Sequence, residues 1–188
     1  ERARTRHDRI REAAALMYRV RATGIMGDPA GAGSDIERAM QLQTTAGDDA
    51  GLAAALFFAA ASSMLEGNQR LALERFEGCV RLSRAIGLPQ VEARALQLMG
   101  VTRLQLGELP AARAVLARGV PAIVDLGDRF AIPVGLSVLA GLAAKEGRPR
   151  TALLLAGAAA AYEQVNDTYR PYVIRGLLDG WLESARKA

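Results

Sequence analysis

The chain of 188 residues is 51% hydrophobic and 23% charged, a balance that fits one folded domain or solenoid and excludes a disordered polypeptide. Alanine supplies 37 residues and aromatics only 5%, which favours closely packed helices over sandwiches, barrels and α/β enzymes. The formal charge is +4, of which +3 falls in the first eleven residues (Arg2, Arg4, Arg6, Arg9 and Arg11 against Glu1 and Asp8), so no basic stripe tracks phosphates and no direct nucleic-acid contact is expected.

The chain opens on Glu1 and closes on "LLDGWLESARKA", and reads as a piece of a longer polypeptide. The arginine-rich start reads as a solvated helix carrying the single histidine, His7. Met26 to Asp35 holds three glycines and a proline and reads as a loop, with Ser34 or Asp35 capping a short helix from Ile36 to Ala46. Apolar residues at three- and four-residue spacing then predict helices over Asp48 to Glu66, Asn68 to Ile86, Gln90 to Leu106 and Leu109 to Leu126. Pro89, Pro110, Pro133, Pro149 and Pro171 fall near helix starts, where a missing amide costs least, whereas Pro121 should kink its helix or break its ladder. The mostly-alanine run Ala152 to Ala161 is too short to span a membrane and reads as a tightly packed core helix. Tyr172 to Lys187 reads as a capping helix with the only tryptophan, Trp181. No signal peptide is visible, and the expected compartment is the cytoplasm.

A repeat of 40 residues organises these helices. Gly27, Gly67, Gly107 and Gly147 share that interval, and Gly47, Gly87 and Gly127 form a second series whose next place is Asp167. These residue types tolerate the left-handed conformation that ends a helix, so the alternation predicts helix, turn, helix, turn. Other columns keep phase: Leu16, Leu56, Leu96 and Leu136; Ala32, Ala72, Ala112 and Ala152; Ile36, Phe76, Leu116 and Ala156; Ala39, Cys79, Gly119 and Ala159. The expected fold is all-α: a right-handed superhelix of about four antiparallel hairpins in one domain spanning 1–188. Its repeats fall near 8–47, 48–87, 88–127 and 128–167, with a cap over 168–188.

Leu96, Gly100, Gly107, Ala112 and Leu116, with Leu56, Ala60, Gly67, Ala72 and Phe76, follow an order that resembles the tetratricopeptide repeat. The departures are a period of 40, no signature tryptophan, and Thr23, Ser63, Arg103 and Ala143 at the tyrosine position. From Leu82 to Ala188 the likeness narrows. "LSRAIGLPQVEARALQLMGVTRLQLGELPAARAVLARGV" and "LGDRFAIPVGLSVLAGLAAKEGRPRTALLLAGAAAAYEQV" resemble the helical region of LuxR-type and SARP-type signal-transduction ATPases, which are bacterial transcriptional regulators. That resemblance implies nucleotide-binding and DNA-binding modules elsewhere in a parent chain, with this region as sensor or oligomerisation arm.

Catalysis needs convergent reactive groups, and the sequence assembles none. There is no histidine cluster at metal spacing and no nucleophile elbow. The glycines from Gly27 to Gly33 lack both a preceding strand and a following lysine, so they are no phosphate loop. Asp48 and Asp49 suit the positive end of a helix. Cys79 stands alone in an apolar stretch and reads as a buried structural thiol. No enzyme, cofactor or metal is expected. The tetratricopeptide concave face, carried over to this chain, falls on Met17, Arg21, Phe57, Ala61, Met64, Arg94, Gln97, Val101, Ser137 and Gly141. Arg21, Arg94 and Gln97 would orient a ligand there, while Met17, Phe57 and Met64 read more readily as core between neighbouring helices than as groove. Tyr162, Tyr169, Tyr172 and Trp181 read as packing of the cap. The leading expectation is a non-enzymatic ligand-sensing domain of a transcriptional regulator, with a small apolar or amphipathic effector in the concave groove. The alternative is a protein-interaction or oligomerisation scaffold, with a homodimer as one form.

Overall fold

The structure is a computed structural model and describes residues 2–26, 32–169 and 171–187. Among these residues there are nine helices and no strand. They are α1 (Arg2–Met26), α2 (Ala32–Ala46), α3 (Asp49–Leu65), α4 (Gln69–Ala85), α5 (Pro89–Gln105), α6 (Leu109–Asp125), α7 (Ile132–Lys145), α8 (Pro149–Asn166) and α9 (Tyr172–Lys187). The chain divides into two compact units, Glu1–Glu92 and Ala93–Ala188. No helix among the described residues is long and apolar enough to cross a membrane.

The turns explain the helix lengths. Gly47, Gly67, Gly87, Gly107, Gly127 and Gly147 all have positive φ, between 63° and 81°. After each, the next amide reaches five residues back: Asp48 to the Gln43 carbonyl, Asn68 to Ser63, Leu88 to Ser83, Glu108 to Arg103, Asp128 to Ile123 and Arg148 to Ala143, at 2.8 to 3.1 Å. This closure satisfies carbonyls that a helix end leaves orphaned. The residue making it often starts the next helix. Asp48 caps α3 by accepting from the Gly51 amide, and Asn68 caps α4 by accepting from Leu71. Asp167 takes the same left-handed conformation, at φ 48°, after α8. Gly27 lies outside the described residues.

In the first unit α1 packs against α2, α2 against α3, and α3 against α4. The core is built from small and medium side chains: Ala13, Met17, Ala39, Leu42 and Ala55 form one cluster, and Val20, Ala32, Ile36 and Ala59 another. Arginines tie the helices externally. Arg19 of α1 pairs with Asp35 of α2, Arg38 of α2 with Glu12 of α1, and Arg75 of α4 with Glu37 of α2. The Arg19 hydrogen bonds hold the Asp35 carboxyl below the ordinary carboxylate range. Asp35 is therefore no cap. Helix α2 spans Ala32–Ala46, so Asp35 lies inside its first turn, with Ala32 buried and Asp35 paired to α1.

In the second unit α6 packs on α7, α7 on α8, and α9 on both α7 and α8. Helices α5 and α6 cross closely at glycines: Leu116 lies over Gly100, and Leu96 lies over Gly119. Pro110, Pro133 and Pro149 each sit in the first turn of their helix. Helix α6 runs on through Pro121, whose side is exposed, so the position tolerates a missing internal bond. The cap is formed by Leu178, Leu182 and Ala185 of α9 against Ala140, Ala143 and Ala152, with Trp181 against the same cluster. An ideal Cβ on Gly141 would sit 2.1 Å from the Trp181 ring, so this glycine is what lets the indole approach α7 so closely.

Helix α8 corrects the expectation of a core helix over Ala152 to Ala161. Only Ala152 and Ala159 are buried along it. It touches α7 and α9 on one side, and its opposite side faces out. Alanine content does not decide burial, because alanine is an equally good helix former on a surface.

Candidate functional site

The concave-face residues fall into two groups, one in each unit. In the first unit, α3 carries Phe57, Ala61 and Met64. Phe57 and Ala61 are half-buried, and Met64 is buried. Spacing of four places Leu65 after Ala61 on the same stripe, and Leu65 is exposed. Phe57 is held by two edge contacts, with ring centroids 5.6 Å from Phe58 and 6.1 Å from Phe76. Met17 of α1 is buried in the cluster with Ala13, Ala39, Leu42 and Ala55. The side chain of Arg21 lies outside the described residues.

In the second unit the polar side chains have local partners. Arg94 forms a two-pronged pair with Asp128, Nε to Oδ2 at 2.6 Å and Nη2 to Oδ1 at 2.9 Å. This hydrogen-bonded guanidinium lowers the Asp128 pKa below its ordinary 3.8, and the Ala131 and Phe130 amides add to it. Gln97 is buried and donates from Nε2 to the Ala131 carbonyl at 2.8 Å. Ser137 is buried and donates to the Pro133 carbonyl one turn earlier, at 2.7 Å. Val101 is fully buried, and Gly141 lies under Trp181. Gln97 and Arg94 therefore lock the start of α7 to α5. They do not converge on an open space.

Two features were not found from sequence. One is an open depression of about 480 Å³ lined by Gly107, Leu109, Pro110, Arg113 and Glu146. An Arg113–Glu146 pair at 2.6 Å crosses it. The other is the outer side of α8, where Leu153, Leu154 and Val165 are exposed. The run of alanines hid it, because it read as interior. Of the carboxy-terminal aromatics, Trp181 packs in the cap, Tyr162 is half-buried, Tyr169 is exposed, and the Tyr172 side chain lies outside the described residues.

Among the described residues no group of three or more His, Cys, Asp or Glu could hold a metal ion. Cys79 is buried, and its Sγ donates to the Ala53 carbonyl at 3.3 Å. Burial pushes its thiol pKa up to about 11.

No protein-family profile matches the chain, and no curated protein is similar to it in sequence. Among solved structures it is similar in fold to aspartyl phosphate phosphatase F from Bacillus subtilis, with a TM-score of 0.73 at 15% identity over 85% of this chain. The match covers 42% of that protein, so the chain spans less than half its length. At this identity the likeness shows the fold alone: an all-α array of helical hairpins of the tetratricopeptide-like type.

Proposed function

We propose that this chain is a non-enzymatic helical-repeat module that binds a protein partner, presenting the α3 stripe of Phe57, Ala61 and Leu65 to an apolar face of a partner helix. The observation that carries this reading is Phe57. It is an aromatic side chain only partly buried yet fixed by two ring contacts, as a pre-organised anchor should be. Ala61 and Leu65 continue its ridge at four-residue spacing, which suits the ridge of an approaching helix. The similar structure is named an aspartyl phosphate phosphatase, and its likeness to this chain is one of helical-repeat fold, an architecture suited to presenting a helix face to a partner.

The finer reading, a sensor arm of a LuxR-type or SARP-type regulator with a small effector in its groove, rests on the sequence likeness of Leu82 to Ala188. An effector site needs polar groups free to orient the ligand. Arg94, Gln97 and Ser137 are instead engaged within the fold, which shifts weight to a protein partner. Native mass spectrometry of the chain isolated from its own cells separates the two. A partner of protein mass, lost in the Phe57→Glu, Leu65→Glu double variant with helical circular dichroism unchanged, supports the module. A retained small-molecule mass, with no protein, overturns it in favour of the sensor.

A further inference from the structure

We infer that the outer side of α8 is a self-association surface on which a second copy of this chain packs antiparallel across a two-fold axis. On this side Leu153 is 42% exposed, Leu154 66% and Val165 83%. Gly157, Ala158, Ala160, Ala161 and Gln164 complete it, all exposed. At 100° per residue these positions form one continuous band opposite buried Ala152 and Ala159. Large side chains stand towards its two ends and small ones at its middle. Two such helices can therefore approach closely at the centre while Leu154 and Val165 of each cover the other.

The charges select a second copy and an orientation. Arg150 lies on the axis of the band at its amino end, and Asp167 follows its carboxyl end, both exposed. Pairing α8 with itself antiparallel about Gly157 and Ala158 brings Arg150 opposite Val165. The Asp167 carboxylate is then about 3 Å further along the helix axis, within reach of the arginine. The symmetry makes this contact twice, and the two helix dipoles lie antiparallel, each positive end beside the other's negative end. A parallel pairing sets Arg150 against Arg150 and gains neither. One 18-residue helix supplies less than the roughly 800 Å² per partner of a standard interface, so the dimer belongs with the small, reversible interfaces. The surface is separate from the α3 stripe. A dimer without any other partner supports this inference and counts against the proposed module, whereas a partner lost with Phe57 leaves the dimer untouched.

Analytical ultracentrifugation of the 188-residue chain over a concentration series is the test. A monomer–dimer equilibrium is expected, with Leu154→Glu weakening it by roughly tenfold or more. Arg150→Glu and Asp167→Arg should each weaken it alone, because each places like charges together twice. An equimolar mixture of these two variants should recover the dimer, since every facing pair is then opposite in charge. A monomer at all concentrations overturns the proposal, as does a dimer indifferent to Leu154→Glu. A mixture no tighter than its components overturns the antiparallel arrangement.

Discussion

Leu116 of α6 occupies the space that a side chain on Gly100 of α5 would need. An ideal Cβ on Gly100 would lie 2.4 Å from Leu116 Cδ2 and 2.6 Å from its Cγ. Two effects oppose each other in Gly100→Ala. Relief of glycine's helix penalty contributes about 1 kcal/mol, and overpacking costs about 1–3 kcal/mol. Leu116 is itself buried at 1% exposure and cannot swing into solvent, so overpacking wins. Urea unfolding should show Gly100→Ala destabilised by about 1–2 kcal/mol. Gly176 of α9 is the control: nothing lies within 4 Å of its added Cβ. Gly176→Ala should be stabilised by up to about 1 kcal/mol. Equal effects at the two sites would refute the close α5–α6 crossing.

That crossing was legible in the sequence because it belongs to a repeated column. Ala39, Cys79, Gly119 and Ala159 hold one place in the 40-residue period, and all four are buried. Ala32, Ala72, Ala112 and Ala152 are likewise buried. Period and residue size together specify where helices touch. The candidate site was less legible. Concave-face transfer put Gln97 and Arg94 in a groove, but their fate depends on Ala131 and Asp128, each 34 residues later. Only the packed arrangement shows which polar group a long side chain meets first. Outward alanine and inward alanine look alike in sequence, which is why the α8 surface read as core.

The turns carry a second prediction. Gly107 has φ 76°, and Glu108 then closes on the Arg103 carbonyl at 2.9 Å. A Cβ there meets no atom within 4 Å, so any cost of substitution is conformational. Gly107→Ala should cost about 1 kcal/mol and Gly107→Asn less, since asparagine visits this region more easily. Asp167 at φ 48° offers the reverse experiment. Asp167→Gly should stabilise the chain by roughly 0.5–1 kcal/mol in denaturant unfolding. Loss of stability there would mean that the carboxylate does more than occupy a turn.

The Arg94–Asp128 pair gives a pH prediction with a definite sign. The folded-state pKa of Asp128 is lowered from 3.8, chiefly by the Arg94 hydrogen bond. A depressed carboxyl contributes stability that is full above the unfolded value. It is lost as pH falls from about 3.8 through the lower folded value. Because Arg94 is half-exposed, the pair is worth only about 1 kcal/mol. Arg94→Gln should therefore reduce stability by that amount at pH 7 and flatten the decline below pH 4, as read by chemical denaturation at a series of pH values. An unchanged acid limb in the variant would show that Asp128 owes its low pKa to the Ala131 and Phe130 amides instead.

Cys79 tests whether the interior of the first unit opens as a whole. Its thiol is fully buried under α3 contacts, donates to the Ala53 carbonyl, and has a pKa raised from 9.0 to about 11. Both burial and protonation suppress reaction, since the thiolate is the nucleophile. Alkylation of the folded chain at pH 8 should be slower than that of the urea-unfolded chain by a factor close to its unfolding equilibrium constant. The raised pKa adds a linkage effect at high pH. Between pH 9 and about 11 the unfolded thiol ionises while the folded one does not, so stability should decline across that window. Cys79→Ala removes the ionisation and should abolish that part of the decline, although it leaves a small cavity. Rapid alkylation of the folded chain at pH 8 would instead mean that α3 and α4 separate locally, without global unfolding.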